Sequence, residues 1–353
     1  MQTERHAALQ AYAGWNPNLS ESRTCASGGT AWLLAKHFIE DLNGVVYATG
    51  FTLAKTVSVI RAASLQDLEQ TKGSRYVRSS FPANLHDQLK QDLQTRLPVL
   101  FIGTPCQVAA VRSRWERFRN ESGMTGGESG MTGNEDDSLL CADLLCHGAP
   151  PQTYLDAEIR HLIGNRPYTD VRFRGNDEHD YHLSIWDKES CIYSVKARKQ
   201  PYLLAMLRGV TLMDGCYQCP FASPQRTGDI TLGDYIGLDP SVRTKAGGHN
   251  ISYISINTEK GRRVYETFLR AQPAFRSVER PLGERLSVRS SILEPAGRSP
   301  LRDKFLQRLP RLGFARAVRR TMRMEILKES AFYRTLHHWA HLVRKALRGG
   351  SNR

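Results

Sequence analysis

The stretch LPVLFIGTPCQVAAVRSRW, residues 97–115, decides the fold class of this 353-residue chain. Its apolar run at 99–102 predicts a buried strand, residues 103–105 predict a loop, and a helix is expected to begin near Cys106. Thr104 is a suitable N-cap for that helix, with a proline at the first helical position. A strand, a glycine-containing loop and a helix in succession are typical of an α/β fold with a ligand site at the carboxyl end of the sheet.

Four of the seven cysteines lie in short motifs that suit metal ligands. Cys106 is in GTPCQ (103–107), Cys146 is in LCHG (145–148), and Cys216 and Cys219 are in GCYQCPF (215–221). Four thiolates are what an iron–sulfur cluster or a structural zinc ion requires. Glycine or proline beside the first two lets backbone approach a prosthetic group closely. At a helix N-terminus, Cys106 could equally be a buried inert thiol or a regulatory one.

Two further stretches predict loops that suit a ligand. Ser27, Gly28 and Gly29 precede an apolar-periodic helix, and the free N–H groups at such a helix start bind phosphate or pyrophosphate. A simple tight turn also accounts for these three residues. The second stretch is KGSRYVRSS, residues 72–80, a polar loop that carries an aromatic side chain.

The remaining cysteines are interpreted as structural. Residues 138–148 predict a strand in which Cys141 and Cys146 face opposite sides, so the two are not expected to bind one metal. The alternating pattern at 171–195 predicts a small antiparallel element with Cys191 as an ordinary strand residue.

Residues 201–257 predict the last elements of the body. A helix leads to the cysteine turn, a strand at 229–232 runs on to Asp234, and 249–257 form a final strand. Arg226 and the neighbouring aspartates could tune a cluster through charge and hydrogen bonds, or form a plain structural ion pair.

Composition places the chain among globular proteins with a real core, since 40% of its residues are hydrophobic. No run approaches 18 apolar residues, and the first residues lack the apolar centre of a signal peptide. Seven irregularly spaced cysteines favour cytosolic thiols over a disulfide framework. We therefore expect a cytoplasmic protein, with peripheral attachment at the inner membrane face as an alternative.

The net charge of +14 is concentrated at the C-terminus, because residues 301–353 hold 14 Lys or Arg and three acids. Apolar residues recur there at helical spacing: Phe332, Leu336, Trp339, Val343 and Leu347. A helix docked on the body with a solvated basic face is one interpretation, and contact with an anionic membrane or a partner protein is the other. No nucleic-acid-binding motif is present, so no nucleic-acid partner is expected.

The motifs RxxxSGG, GSRYVRS, VLFIGTPCQ, LLCHGxP, VRFR, CYQCPFA and R-x₂-DITLGDY occur in this order between residues 12 and 260. Together they resemble the beta-subunit family of coenzyme F-420 hydrogenases and dehydrogenases. The resemblance implies a mixed α/β domain over 1–260 that binds FAD and one 4Fe–4S cluster. A basic, mainly helical region follows at 261–353, and a flexible glycine-rich insertion containing a duplicated ESGMTG is expected at 120–137.

The resemblance also implies the site residues. The cluster ligands would be Cys106, Cys146, Cys216 and Cys219. The residues around the flavin would be Ser27, Gly28, Gly29, Gly73, Ser74, Tyr76, Ser79, Gly103, Thr104, Gln107 and Asp234. His147 is a candidate for a proton donor, although a supporting hydrogen bond near the cluster is the better interpretation.

Departures from the family pattern bear on the partner. The N-terminal ferredoxin-like cysteine run of many relatives is missing, and Cys25, Cys141 and Ile236 stand where other residues are expected. The electron donor could be a ferredoxin, a nicotinamide or a deazaflavin carrier. The missing module and the basic C-terminus resemble members found beside polysaccharide-modifying enzymes, for which coenzyme F-420 is not the expected partner. Two other functions stay open: a zinc-stabilised accessory protein and a nucleotide-sugar transferase of glycan biosynthesis.

Overall fold

The computed structural model describes residues 4–121, 138–174, 181–247, 249–288 and 292–329. Two predictions lie outside these ranges. They are the glycine-rich insertion, apart from its first two residues, and the amphipathic helix at 332–347. No helix within the described ranges is long and apolar enough to cross a membrane.

The described residues form eleven strands and twelve α-helices. The strands are β1 (Gln10–Trp15), β2 (Val45–Phe51), β3 (Val57–Ala62), β4 (Val99–Gly103), β5 (Leu139–Leu144), β6 (Asp170–Arg174), β7 (Tyr181–Asp187), β8 (Ser190–Lys196), β9 (Ile230–Asp234), β10 (Ser252–Ile256) and β11 (Arg276–Arg280). The helices are α1 (Leu19–Ser22), α2 (Thr30–Glu40), α3 (Leu65–Glu69), α4 (Leu85–Gln94), α5 (Pro105–Glu121), α6 (Gln152–Ile163), α7 (Pro201–Leu207), α8 (Pro240–Lys245), α9 (Glu259–Ala271), α10 (Leu282–Leu286), α11 (Arg302–Thr321) and α12 (Arg323–Lys328).

An eight-stranded mixed sheet forms the centre of the fold, in the order β11-β1-β10-β9-β5-β4-β2-β3. The middle strands β9, β5, β4 and β2 are parallel to their neighbours within this block, and the flanking strands pair antiparallel. The carboxyl ends of β4, β5 and β9 therefore meet at one edge. Ligands of open α/β sheets bind at such an edge.

Helices cover both faces of this sheet because its strands are apolar on both sides. Val46 and Leu100 pack with α2 and α9 on one face, whereas Tyr47 and Phe101 pack with α4 and α5 on the other. The alternation follows from the two-residue period of a strand. Parallel strands buried on both faces have this continuous apolar sequence.

A second, smaller sheet has the order β6-β7-β8, and both of its pairings are antiparallel. Its apolar face packs with α6, α7 and α11 in one cluster that includes Phe173, Ile185, Tyr202 and Phe305. The antiparallel element predicted at 171–195 is therefore present, and Cys191 lies in β8 as expected.

The predicted mixed α/β fold with a helical C-terminal region is confirmed. Strands β1, β3 and β11 escaped prediction, and β11 lies beyond residue 260 yet forms an edge of the large sheet beside β1. Helix α11 likewise packs on α6 and α7. The two segments divided at residue 260 are thus in contact, and the domain boundary itself stays a prediction.

Candidate functional site

Cys106 lies at the start of α5, where the sequence places it by a capping arrangement. Gln107 Oε1 accepts hydrogen bonds from Thr104 N–H at 3.0 Å and from Thr104 Oγ1 at 3.0 Å. A glutamine at the third helical position that reaches back to the N-cap amide is one half of a capping box. The Cys106 Sγ is 3.2 Å from Thr104 Oγ1, so the thiol points to the carboxyl edge of β4.

Two loops bring the other three predicted thiols to the same edge. Cys146 follows the end of β5, and Cys216 and Cys219 lie in and just after a 3₁₀ turn at Asp214–Gln218. Burial raises the pKa of the Cys146 thiol to about 12, and the charges of the other three thiols add to that shift. All four cysteines are half-buried. The structure therefore brings the four sulfurs within electrostatic reach of one another.

Backbone amides of the loop after Cys146 are directed at two of these sulfurs. Gly148 N–H donates to Cys146 Sγ at 3.4 Å, and Ala149 N–H donates to the Cys216 thiol. A Cβ on Gly148 would lie 3.0 Å from Cys216 Cβ, and its φ of +93° also favours glycine. Amide hydrogen bonds to sulfur are one of the means by which proteins set the potential of an iron–sulfur cluster.

The geometry of the four thiols is not that of a formed metal centre. Within the described residues, no three His, Cys, Asp or Glu side chains are placed to hold a metal ion. A single zinc ion needs its sulfur ligands at about 2.3 Å. Four thiolates are the donor set of a structural zinc ion and of an iron–sulfur cluster, so the donor chemistry fits both.

A hydrogen-bonded chain runs from the cysteine edge to the 72–80 loop. Gln107 Nε2 donates to Ser79 Oγ at 2.8 Å, and both side chains are buried. Thr49 Oγ1 lies 3.4 Å from the same Ser79 oxygen. The predicted residues Thr104, Gln107 and Ser79 are therefore one connected group beside Cys106.

Asp234, at the end of β9, is the centre of a second polar group. Arg174 Nη2 donates to its Oδ2 at 2.9 Å, and Tyr181 OH donates to the same oxygen at 3.0 Å. Burial alone would raise the pKa of Asp234, but the Arg174 charge and these hydrogen bonds lower it overall. The Tyr76 ring lies 5.5 Å from the Tyr181 ring and completes the group.

The Ser27 loop joins this second group. Ser27 has a φ of +54°, and its Oγ lies 3.1 Å from Gly233 O and within hydrogen-bond reach of the Asp234 carboxylate. Gly29 is the N-cap of α2 and offers no side-chain oxygen to the first amides of the helix. Thr30 Oγ1 is buried and has no hydrogen-bond partner among the described residues. An unsatisfied buried hydroxyl at a helix start is a feature that a ligand group can satisfy.

The predicted glycines divide into those with open surroundings and those that are packed. A Cβ on Gly73 would have only Arg75 within 4 Å, and its φ is +79°. By contrast, a Cβ on Gly28 would lie 2.3 Å from Gly14 O, and one on Gly103 would lie 2.8 Å from the Phe101 ring. Contact between protein segments therefore accounts for these two. Ser74 hydrogen-bonds the Tyr76 hydroxyl group.

His147 lies between the cysteine group and the Asp234 group of the site. It directly follows Cys146 and is exposed, and its electrostatic neighbours include Arg285 and Asp234. Although the residue is exposed to solvent, the protein atoms crowded around its ring, and then the Arg285 charge, lower its pKa.

Other candidates lie outside the site. Arg226 pairs with Asp143 at 3.0 Å, and both are buried, which is the structural ion pair of the two interpretations. Cys25 is buried near Glu21 O, and Cys141 is buried within β5. Cys191 is exposed on β8.

Sequence reasoning missed Arg174 and Tyr181 as site residues. Both belong to the small sheet, and they reach Asp234 across 60 and 53 residues of chain. The VRFR motif at 171–174 was the signal that could have identified the arginine, because a charged residue ends an otherwise alternating strand.

Comparison with known proteins gives one family. The family of the C-terminal region of the coenzyme F420 hydrogenase/dehydrogenase beta subunit matches residues 98–274, half of the chain. A similar solved structure is a chain of the F420-reducing [NiFe] hydrogenase complex from Methanosarcina barkeri after xenon derivatization. That likeness has a TM-score of 0.51 and 16% identity, and it covers 79% of this chain and 85% of that one, so it shows the fold alone. A search of curated proteins found no match.

Proposed function

This chain belongs to the coenzyme F420 hydrogenase/dehydrogenase beta-subunit family, and from that premise we propose that it is a flavin- and 4Fe–4S-dependent oxidoreductase. It passes electrons between a reduced carrier and a substrate. The family resemblance predicted from the sequence motifs is thereby confirmed, and hydrogenases and dehydrogenases are redox proteins. The observation that supports the finer proposal is the meeting of four half-buried thiols at the carboxyl edge of the sheet.

The cluster would be held by Cys106, Cys146, Cys216 and Cys219, and it would supply one-electron transfer. The protein contributes the Gly148 and Ala149 amides that point at two of the sulfurs. These donors favour the more negative, reduced state of a bound cluster because they stabilise charge on sulfur. A structural zinc ion held by the same four thiols is the alternative.

FAD would lie between the Ser27–Gly29 loop, the Gly73–Ser79 loop and the Gly103–Gln107 loop. It would supply hydride chemistry, as flavins do. The unpartnered Thr30 hydroxyl at the start of α2 supports an anionic part of the cofactor there. The hydrogen bonds that connect Ser79, Gln107 and Cys106 would keep the flavin loops at a fixed position relative to the cluster.

The Arg174–Asp234–Tyr181 group would orient whatever binds at the centre of the site. Arg174 and Asp234 are an ion pair, so the group presents fixed donors and an acceptor with little net charge. Groups held in place before binding lose less entropy when a ligand arrives, and this is how protein residues support cofactor chemistry. Exposed His147 is placed to exchange a proton with solvent.

The substrate class and the partners are proposed from the family resemblance and from the basic C-terminal region. A reduced carrier of the ferredoxin, nicotinamide or deazaflavin type would deliver electrons. The basic C-terminal region supports contact with a partner or an anionic membrane surface, and a role in surface-polysaccharide synthesis. Exposed Arg316, Arg320 and Arg323 continue this basic character on α11 and α12.

Anoxic titration tests this proposal. The purified chain, reconstituted with FAD, iron and sulfide, is mixed in turn with dithionite, NADH, NADPH and reduced ferredoxin, while absorbance is followed. We expect bleaching of both flavin and cluster bands by dithionite and by at least one biological carrier. A chain that binds neither cofactor, or that zinc alone stabilises, would contradict the proposal.

A further inference from the structure

Arg302, the first residue of α11, reaches the cysteine turn from outside the family-matched stretch. Its side chain is buried, and its Nη1 donates to Val210 O at 2.9 Å and to Tyr217 OH at 3.0 Å. Its Nη2 donates to Asp214 Oδ1 at 2.6 Å. The guanidinium also lies 4.7 Å from the centre of the Tyr217 ring. One side chain thus contacts three residues on both sides of Cys216.

The segment before Arg302 contacts the same region through its backbone. Ser299 N–H donates to Gly209 O at 3.1 Å, and Tyr217 OH donates to that oxygen at 2.8 Å. A Cβ on Gly209 would lie 2.1 Å from Gly297 O, so the two segments are in close contact. Residues 297–302 therefore pack along the chain that leads into the cysteine turn.

The turn contributes little to its own stability. It is a 3₁₀ segment of five residues, Asp214–Gln218, with no side-chain cap and no buried residue. Such short 3₁₀ segments have poor hydrogen-bond geometry, and ordering each residue costs conformational entropy. The contact with Asp214 adds little, because that carboxylate is 90% exposed. The bond to Val210 O is buried, and the bond to Tyr217 OH is partly buried.

We propose that Arg302 is a positioning residue that fixes the Cys216–Cys219 turn in its ligating conformation. It acts through Tyr217 and Val210 and does not touch a sulfur. The inference rests on the proposed function in one respect only, namely that a fixed turn would help to retain a cluster. The geometry of the turn can be tested without any metal.

The test is residue-resolved alkylation of the full chain in its metal-free form. Wild type, R302M and R302K are treated with iodoacetamide, and mass spectrometry follows the rate at each cysteine. In R302M we expect about tenfold faster alkylation of Cys216 and Cys219, because one buried and one partly buried hydrogen bond are lost. Cys106 and Cys146, held by other elements, keep their wild-type rates. R302K, which retains one donor group, falls between the two.

Arg308 gives a matched control on the same helix. Its Nη1 donates to Thr321 Oγ1 at 3.2 Å, a contact that crosses the break in α11 at Gly313 and lies away from the cysteine turn. R308M is expected to leave all four rates unchanged. Equal acceleration of all four cysteines in R302M would indicate general loss of stability and would overturn the proposal, as would unchanged rates at Cys216 and Cys219.

A second readout separates this inference from the proposed function. After reconstitution, R302M is expected to lose iron to a chelator about tenfold faster than wild type, within the range for residues that support metal ligands. If wild type takes up no iron and sulfide while the alkylation pattern holds, the proposed function fails and the positioning role stands. If wild type forms a cluster that R302M retains equally well, the positioning role fails.

Discussion

Cys141 lies inside β5 and is buried, whereas Cys146 follows the end of the same strand and is half-buried. Cys141 N–H donates to Asp229 Oδ2 at 2.9 Å, and Asp229 pairs with Arg112 at 2.7 Å. Cys146 instead has three other thiols near it and an amide directed at its sulfur. One cysteine is part of a closed structural network, and the other belongs to the four half-buried thiols that are proposed as cluster ligands.

The difference shows what position on a strand decides. Within β5, hydrogen bonds to β4 and β9 and packing from α5 satisfy the surroundings of Cys141, so no space is left for a ligand. Beyond the carboxyl end, the chain leaves the sheet and its amides become available. The same residue type therefore acts as core in one place and as candidate ligand five residues later.

Removing each cysteine in turn should give the largest contrast. C146A is expected to lower iron and sulfide content at least about tenfold, since loss of a ligand should exceed loss of a supporting residue. C141A should keep full cofactor content and lose about 1 kcal/mol of stability from the small cavity. Iron and sulfide assays and urea unfolding measure both. Equal cofactor loss in the two variants would contradict the comparison.

Disruption of the structural network around Cys141 should lower the free energy of unfolding. D229N removes the carboxylate that Arg112 and Lys260 share, and breaking a buried ion pair costs about 3–5 kcal/mol. Urea unfolding gives the loss. Iron per folded molecule should stay at the wild-type value, and a D229N protein that folds normally but lacks iron would place this network inside the site.

A change at Asp234, which belongs to the candidate site, should weaken flavin binding. D234N leaves Arg174 with a weakened partner and removes an acceptor of Tyr181, so we expect about tenfold weaker FAD retention. Flavin fluorescence after gel filtration measures it, with iron content as the internal reference. Parallel loss of iron would mean that Asp234 supports the whole edge, and that the flavin and cluster groups do not have separate roles.

Asp229, the buried aspartate of the core, predicts how the stability of the protein changes at acid pH. Burial would raise the pKa of Asp229, but Arg112 and Lys260 lower it overall from its ordinary value of 3.8. Its stabilising contribution is thus fully present above pH 3.8 and is lost as pH falls through the lower folded pKa. Wild type should therefore lose more stability below this pH than D229N does. Parallel acid-unfolding curves would contradict the assignment.

Substitution of Cys191 is expected to have the smallest effect on stability and cofactor content. It is exposed on β8 and belongs to neither group, so C191S should change stability by less than about 0.5 kcal/mol. Its iron and flavin contents should equal those of wild type. A measurable cofactor loss in this variant would show that surface thiols also take part.

Local patterns predicted the parts of the fold that are locally determined. The apolar run at 99–102 and the capping arrangement at Thr104 were sufficient to place β4 and α5. Strand β11 could not be found in this way, because its sequence RSVER lies at a sheet edge and has no buried residue. An edge strand is identified by its partner rather than by its own composition.

Contacts between distant residues explain what the sequence missed in the site. Arg174 reaches Asp234 across 60 residues, and Arg302 reaches Asp214 across 88. No periodicity encodes such pairs, since only the folded sheet brings the residues together. Gly28 illustrates the opposite case, in which a residue expected at a ligand is required by contact with Gly14 O.

The most direct test of the proposed redox function is the cofactor content of the wild-type protein purified without oxygen. Iron, sulfide and released flavin are measured on one sample together with its ultraviolet–visible spectrum. We expect about four irons and four sulfides per chain, one FAD, and flavin bands over a broad iron–sulfur shoulder. A colourless protein that remains so after reconstitution with FAD, iron and sulfide would contradict the proposal.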